Sequence, residues 1–301
     1  MELGPNLRAE LITDGPVEAR IAPDDSANLI VYYVGEQHGS LAPCGCPDRP
    51  RGGLPRLASY LASSDPGVVI NTGYWLDDGQ GLDGNPRADA TLKNQWMVRG
   101  LQTIAVDAVH VGFNDLFGLS TLPDGAPDLP LVSANLSGEG IAPYLVVQQD
   151  DQRIGITGIS HPGHPSVDTP GFLRADPVEA ARPIIEELRS TTDVVVLLNH
   201  GASDAAKKLA RTGHVDVVIE TNEHRSFEPP FNVGDAVWVR SHMQGMRLGE
   251  LRLGNNDAGE RWAFDRKIDM DASLPNETRL HDMDTQAKSE LKALERALFG
   301  R

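Results

Sequence analysis

Asn28-Leu29-Ile30-Val31-Tyr32-Tyr33-Val34 runs straight into Gly35-Glu36-Gln37-His38-Gly39, and Cys44-Gly45-Cys46 and Gly52-Gly53-Leu54 follow within a few residues. An apolar run of this length, stopped by glycines and polar residues, reads as a buried strand entering a loop. The loop presents a carboxylate, Glu36, and an imidazole, His38; two thiols come next, and a helix begins after the second glycine pair. Strand, loop and helix in that order put reactive side chains at the carboxyl end of a sheet, where open α/β sheets bind ligands.

Outward from this stretch, β-rich runs alternate with helical segments, the pattern of an α/β domain. Strands are expected over 29–34, 67–71, 108–111, 129–133, 144–148, 153–159, 194–198, 215–219, 236–239 and 249–253, and helices over 53–62, 88–103, 177–189 and 204–211. The run Val194-Val195-Val196-Leu197-Leu198 is apolar on both faces, as a central strand covered by two layers must be. From Asp282, the spacing of Ala287, Leu291, Leu294 and Leu298 with charges between predicts an amphipathic helix, which fits a helix packed on its own domain better than a dimerising coil. Residues 76–90, rich in Asp and Gly, read as a mobile acidic loop and lack the closing Glu of a calcium site.

Composition sets the outer limits. The 301 residues, 40% hydrophobic and 23% charged, suffice for one large core. A formal net charge of -16 disfavours nucleic acid and anionic membrane surfaces as partners. No apolar stretch reaches bilayer length, and residues 1–20 lack the positive start and apolar centre of a signal peptide. With two cysteines one residue apart, no disulfide framework ties distant segments together.

The strand-end motifs, taken in order, resemble the metallophosphoesterase domain of the UshA-like 5′-nucleotidase family, within the calcineurin-like phosphoesterases. Val31-Tyr-Tyr-Val-Gly-Glu-Gln-His-Gly stands where the family has Asp-x-His-Gly, Gly52-Gly-Leu-Pro-Arg-Leu where it has Gly-Gly-Leu, and Val69-Ile-Asn-Thr-Gly-Tyr where it has a Gly-Asp strand end. Asp107-Ala-Val-His-Val-Gly-Phe-Asn-Asp stands where it has Gly-Asn-His-Glu, Leu131-Val-Ser-Ala-Asn-Leu, Ile154-Gly-Ile-Thr-Gly-Ile and Leu197-Leu-Asn-His-Gly follow, and Asp216-Val-Val-Ile-Glu-Thr-Asn-Glu-His stands where it has Gly-His-x-His. The resemblance implies a four-layered α/β sandwich, two sheets flanked by helices, over residues 28–255, with an extension at 1–27 and another at 256–301 that ends in the amphipathic helix. About fifty residues follow the last expected strand, too few for the family's second, substrate-specifying domain.

What the resemblance implies about the site is mixed. Two metal ions held by oxygen and imidazole ligands activate a bridging water in the family. Here Glu36 replaces the first Asp, and His38, His200 and His224 are kept. Tyr74 stands for the bridging Asp, Phe113 for an Asn ligand, Asn114 for the His that stabilises the leaving group, and Asn222 for the first His of the last pair. One ion would keep Glu36, His38 and His224 and the other His200 alone, so the expectation is one divalent ion, zinc or manganese, or none, in an impaired phosphoric-ester hydrolase or pseudoenzyme. Family members are mostly exported, which favours an extracytoplasmic location. The partner classes left open are a small phosphorylated ligand and a protein.

Cys44 and Cys46 admit three readings. They could join His38 and His224 in a zinc site, form a strained and easily reduced disulfide, or pack a tight turn between Pro43 and Pro47. His242, at the end of the 236–239 strand, is a candidate cleft residue, His161 and His164 could line the cleft, and His110 reads as a satisfied core histidine. Arg56 is expected to be solvent-exposed. The competing functions are a hydrolase with a degraded site, a non-hydrolytic redox or metal-binding protein built on the Cys-Gly-Cys loop, and a structural or partner-binding subunit.

Overall fold

Two mixed sheets pack face to face, and helices cover both outer surfaces. The computed structural model describes residues 11–12, 27–43, 49–81, 84–163, 169–221, 230–255 and 261–299, so Cys44, Cys46, His164, Asn222 and His224 lie outside the described residues. In chain order the strands are β1 (Leu11–Ile12), β2 (Ala27–Val34), β3 (Val68–Asn71), β4 (Ala108–His110), β5 (Leu131–Val132), β6 (Leu136–Ser137), β7 (Ile141–Ala142), β8 (Tyr144–Gln149), β9 (Gln152–Ser160), β10 (Leu173–Arg174), β11 (Val194–His200), β12 (Val217–Thr221), β13 (Phe231–Val233), β14 (Ala236–Arg240), β15 (Arg247–Asn255) and β16 (Arg261–Asp269). The helices are α1 (Leu54–Ala62), α2 (Ala88–Ile104), α3 (Asp115–Ser120), α4 (Pro177–Thr191), α5 (Ser203–Ala210) and α6 (Thr278–Phe299). Each strand and helix expected above is present, with ends shifted by a few residues.

One sheet runs β1-β16-β15-β2-β3-β4-β5-β7, the other β13-β14-β12-β11-β9-β8, and β6 pairs with β10 in a small ribbon. Leu29, Val31, Tyr33, Val68, Ile70 and Ala108 of the first sheet meet Ile154, Ile156, Val196, Leu198, Ile219 and Val239 of the second. Outside the first sheet, Leu54, Met97, Leu101 and Leu280 bring α1, α2 and α6 onto Ile30, Tyr32 and Val109. Outside the second, Ile185, Leu188 and Leu209 bring α4 and α5 onto Val195, Leu197 and Val218. This is the four-layered sandwich. Strand β11 lies between the facing sheet and the helices, and all seven of its residues are buried, which explains its apolar run. Among the described residues no helix is long and apolar enough to cross a membrane.

Local chemistry sets the element ends. Asp176 caps α4 by accepting from the N–H groups of Val178 (2.9 Å) and Glu179 (3.0 Å), with Pro177 opening the helix. The acidic segment expected to be mobile is instead stapled: Asp77 accepts from Arg87 at 3.0 Å, Lys93 bonds Asp89 at 3.0 Å, and Asn94 exchanges two bonds with the Asp77 backbone. Beyond residue 255, β16 pairs with β15 over nine positions, and α6 packs on α2, where Trp96 donates to Glu290 at 2.9 Å. Arg56, expected in solvent, is buried because its guanidinium turns inward to donate to the Pro50 carbonyl at 2.8 Å and to share the Met270 carbonyl with the Gly52 N–H.

The sheets are also tied together at one end. Thr72, just past β3, shares a 2.6 Å bond with Thr221 of β12, and Thr221 shares another of 2.6 Å with Ser241, just past β14. Gly35 makes the crossing possible, because a Cβ there would stand 2.3 Å from the Thr72 hydroxyl.

Candidate functional site

Left-handed backbone gathers at the carboxyl ends of β2 and β3. Glu36 (φ 57°), His38 (φ 51°) and Tyr74 (φ 54°) all adopt it without being glycine. Such residues cost roughly 1–3 kcal/mol each and cluster where a site over-determines them. Three backbone bonds lash the two loops together: Glu36 N–H to Gly73 O (3.0 Å), His38 N–H to Tyr74 O (3.2 Å) and Gly39 N–H to Trp75 O (2.8 Å). The Asp115 carboxylate, buried at the start of α3, accepts from the N–H groups of Tyr74 (2.9 Å), Leu76 (3.1 Å) and Gly112 (2.9 Å). Burial pushes this carboxyl up to about 7 against the pull of those donors.

Within this frame the Tyr74 ring lies on His38 (centroids 4.0 Å apart) and meets His200 edge-on at 5.9 Å. Burial, then the carboxylates of Asp78, Asp115, Asp77 and Glu36, hold the phenol above the ordinary tyrosine range. His38 is pulled below the usual histidine range by burial, against Asp77 and Asp78, and its Nε2 has no hydrogen-bond partner among the described residues. His200 ends β11 fully buried, with neither ring nitrogen partnered among the described residues, and burial followed by His161 and His38 takes it down to about 3.

His110 departs from the expected satisfied core histidine. Its Nε2 stands 3.2 Å from the Ile159 carbonyl oxygen, but Nδ1 has no partner among the described residues, and burial followed by His200 takes it to about 3 as well. Phe113 donates its N–H to Ser160 Oγ at 2.8 Å, and its ring lies beneath the Arg174 guanidinium at 5.0 Å. Asn114 follows it, immediately before α3. His161 is exposed beyond β9, and its Nδ1 accepts from Gly163 N–H at 2.9 Å. His242 is buried past β14 with Nδ1 at 3.2 Å from the Met243 carbonyl oxygen, and burial lowers its pKa. Glu36, His38 and His200 thus come to one end of the sheets, whereas no three His, Cys, Asp or Glu side chains among the described residues converge as a ligand set.

Solved structures share this architecture. The 5′-nucleotidase precursor of Thermus thermophilus superposes with a TM-score of 0.69 and 20% identity over 89% of this chain and 60% of that one. This is the metallophosphoesterase fold of the 5′-nucleotidases. Haemophilus influenzae NAD nucleotidase shares it at a TM-score of 0.70 and 15% identity, over 89% of this chain and 61% of its own. In sequence, the uncharacterized metallophosphoesterase YunD of Bacillus subtilis (strain 168) is 25% identical over 166 residues, 51% of this chain and 36% of that protein. The chain therefore spans little more than a third of that relative and about three-fifths of the solved neighbours. No family model matches it.

On the 5′-nucleotidase fold, the strand-end positions of Glu36, His38, Tyr74, Phe113 and His200 follow from the parallel order β2-β3-β4 and the parallel pairing of β9, β11 and β12. Sequence reasoning missed two features. The role of Asp115 as the anchor of the Tyr74 loop leaves no trace in local pattern. The half-satisfied state of His110 depends on Gly158 of β9, over which its ring lies; a Cβ at Gly158 would be 2.6 Å from Nδ1.

Proposed function

We propose that this protein is a UshA-like metallophosphoesterase with a degraded dinuclear site and weak phosphohydrolase activity or none. The observation that carries this reading is the Tyr74 ring, lodged between His38 and His200 where the resemblance puts a bridging carboxylate. Two divalent ions a few ångströms apart repel unless an anionic oxygen lies between them. A phenol held above its ordinary range stays neutral at pH 7 and supplies no such charge. Phe113, engaged by Arg174, offers an apolar ring in place of a ligand oxygen. These residues do not fit two divalent ions. By the resemblance, Glu36, His38 and His224 would hold a single zinc or manganese, whose chemistry is Lewis-acid polarisation of a phosphoryl oxygen. An extracytoplasmic location goes with this reading, as in the family it resembles.

A second reading rests on Cys44-Gly45-Cys46, a thiol pair placed one short loop after His38. In it the cleft binds a ligand or partner and the thiols supply metal or redox chemistry. Elemental analysis of the purified protein, with a p-nitrophenyl phosphate and AMP assay and a His38→Ala control, separates the readings. At most one equivalent of zinc or manganese with little turnover is expected. Two equivalents and His38-dependent turnover would overturn the proposal, and one zinc lost in Cys44→Ser would move it to the thiol reading.

A further inference from the structure

Each of the two large sheets ends in two edge strands, and three of those four edges are short. Among the described residues β1 and β7 close the first sheet with two residues each, and β13 closes one side of the second with three. The fourth edge, β8, runs for six: Tyr144-Leu145-Val146-Val147-Gln148-Gln149. Natural sheets guard long edges with charges, proline or bulges, because a bare row of N–H and C=O groups pairs with any strand that reaches it. β8 carries none of these guards: it holds no charged residue and no proline, and its register with β9 is unbroken.

The outward groups can be named. Arg153 of β9 turns both main-chain groups toward β11, its N–H to Asp193 Oδ2 at 2.7 Å and its carbonyl to the Asp193 N–H at 2.8 Å. Gln148, paired opposite Arg153, is therefore not bonded to it, and by the alternation of an antiparallel ladder neither Val146 nor Tyr144 bonds β9. These three residues present their N–H and C=O groups to the open side, where no main-chain partner stands among the described residues. Their side chains share the face that carries α4, where Tyr144 donates to Glu187 at 2.9 Å and Val146 is left 43% exposed. On the other face Leu145 and Val147 pack against the inter-sheet core yet keep part of their surface in solvent.

We propose that β8 is the docking edge for a second copy of this chain, joining the second sheets of two molecules into one continuous sheet across a two-fold axis. An antiparallel ladder of β8 with its copy, centred on Val146, sets Val146 opposite its own counterpart and Tyr144 opposite Gln148. These are bonded pairs that exchange about six main-chain hydrogen bonds in all. Typical interfaces carry about ten direct hydrogen bonds, give or take about five, so the ladder alone reaches that range. Leu145 meets Val147 of the copy on the inner face, and the apolar surfaces of both faces run on across the join. Charge favours the same edge. At a net charge of -16 two copies repel, and a strand without charged residues is where they approach at least cost. The acidic turn at Asp150 and Asp151 lies beyond the paired stretch. None of Glu36, His38, Tyr74 and His200 takes part, so the dimer is independent of the phosphoesterase reading.

The test is analytical ultracentrifugation of the full chain over a concentration series from roughly 0.1 to 100 μM, where a reversible monomer–dimer equilibrium is expected. Val146→Lys sets two like charges face to face, and Val146→Pro removes the outward N–H. Each should raise the dissociation constant by roughly 10-fold or more, with circular dichroism to check that the variants fold. A cross-link reads the register. On a Cys44→Ser, Cys46→Ser background, Val146→Cys should join two chains by a disulfide under mild oxidation, because the Cα atoms of a bonded pair stand about 5.5 Å apart, within disulfide range. Lys208→Cys, exposed on α5, should not. If neither Val146→Lys nor Val146→Pro folds, the cross-link decides alone. A single monomeric species throughout the series, an undiminished dimer in a folded Val146→Lys, or a dimer that Val146→Cys links no better than Lys208→Cys would overturn the proposal.

Discussion

Asp115→Ala should destabilise the protein far more than its small change in volume suggests. In the native fold this carboxylate accepts from the N–H groups of Tyr74, Leu76 and Gly112 at 2.9, 3.1 and 2.9 Å, in a fully buried setting. Alanine leaves three donors without an acceptor, at about 1–3 kcal/mol each, and partial relaxation of the loop brings the sum to about 4 kcal/mol. That is a large fraction of a typical stability of roughly 5–15 kcal/mol. Urea unfolding at pH 5, followed by circular dichroism, reads it directly. With a slope of roughly 3 kcal/mol/M, the midpoint should fall by roughly 1 M while the slope is unchanged. Asp115→Asn, which keeps one acceptor oxygen, should lose about half as much. A midpoint drop below roughly 0.3 M for the alanine variant would refute the view that Asp115 organises the Tyr74 loop.

The same residue should give a pH signature. Its folded pKa of about 7 lies above the unfolded 3.8, so its contribution is complete below the unfolded value and is lost as pH rises through the folded one. The stability gap between native protein and Asp115→Asn should therefore be widest near pH 4 and shrink steadily toward pH 8; a gap that widens with pH would contradict this. Gly112→Ala drives a methyl to 2.6 Å from the buried His200 ring and should cost about 1–3 kcal/mol, read as a fall in melting temperature. Tyr74→Asp together with Phe113→Asn should raise bound manganese or zinc above the native stoichiometry, and an unchanged metal content would count against the assignment of Tyr74 to the bridging position.

How much could be read beforehand depended on where the determining contacts come from. β11 was legible because Val194 to Leu198 are apolar whichever face is considered. β16 was not, because Arg261, Asp265, Arg266, Lys267 and Asp269 interrupt its apolar positions. Its charges are met partly across the sheet, Arg266 pairing with Glu250 of β15 and Asp265 accepting from Tyr33 of β2, both at 2.7 Å, and partly along the strand, where Lys267 pairs with Asp265 at 2.7 Å. The 76–90 segment looked loose because Asp, Gly and Asn favour loops, yet the same Asp77 and Asp89 are what Arg87 and Lys93 grip. His38 and His200 were found through their motifs at strand ends. The insertion of Tyr74 between them, and the unsatisfied nitrogen of His110, are set by packing across two sheets, which no local pattern records.

The hydroxyl chain from Thr72 through Thr221 to Ser241 pins the two sheets at the end where the candidate site lies: the Thr72–Thr221 hydrogen bond crosses between them, and Thr221–Ser241 braces that link from within the second sheet. Loop replacements that spare these three hydroxyls should leave the spacing of the two sheets at that end unaltered.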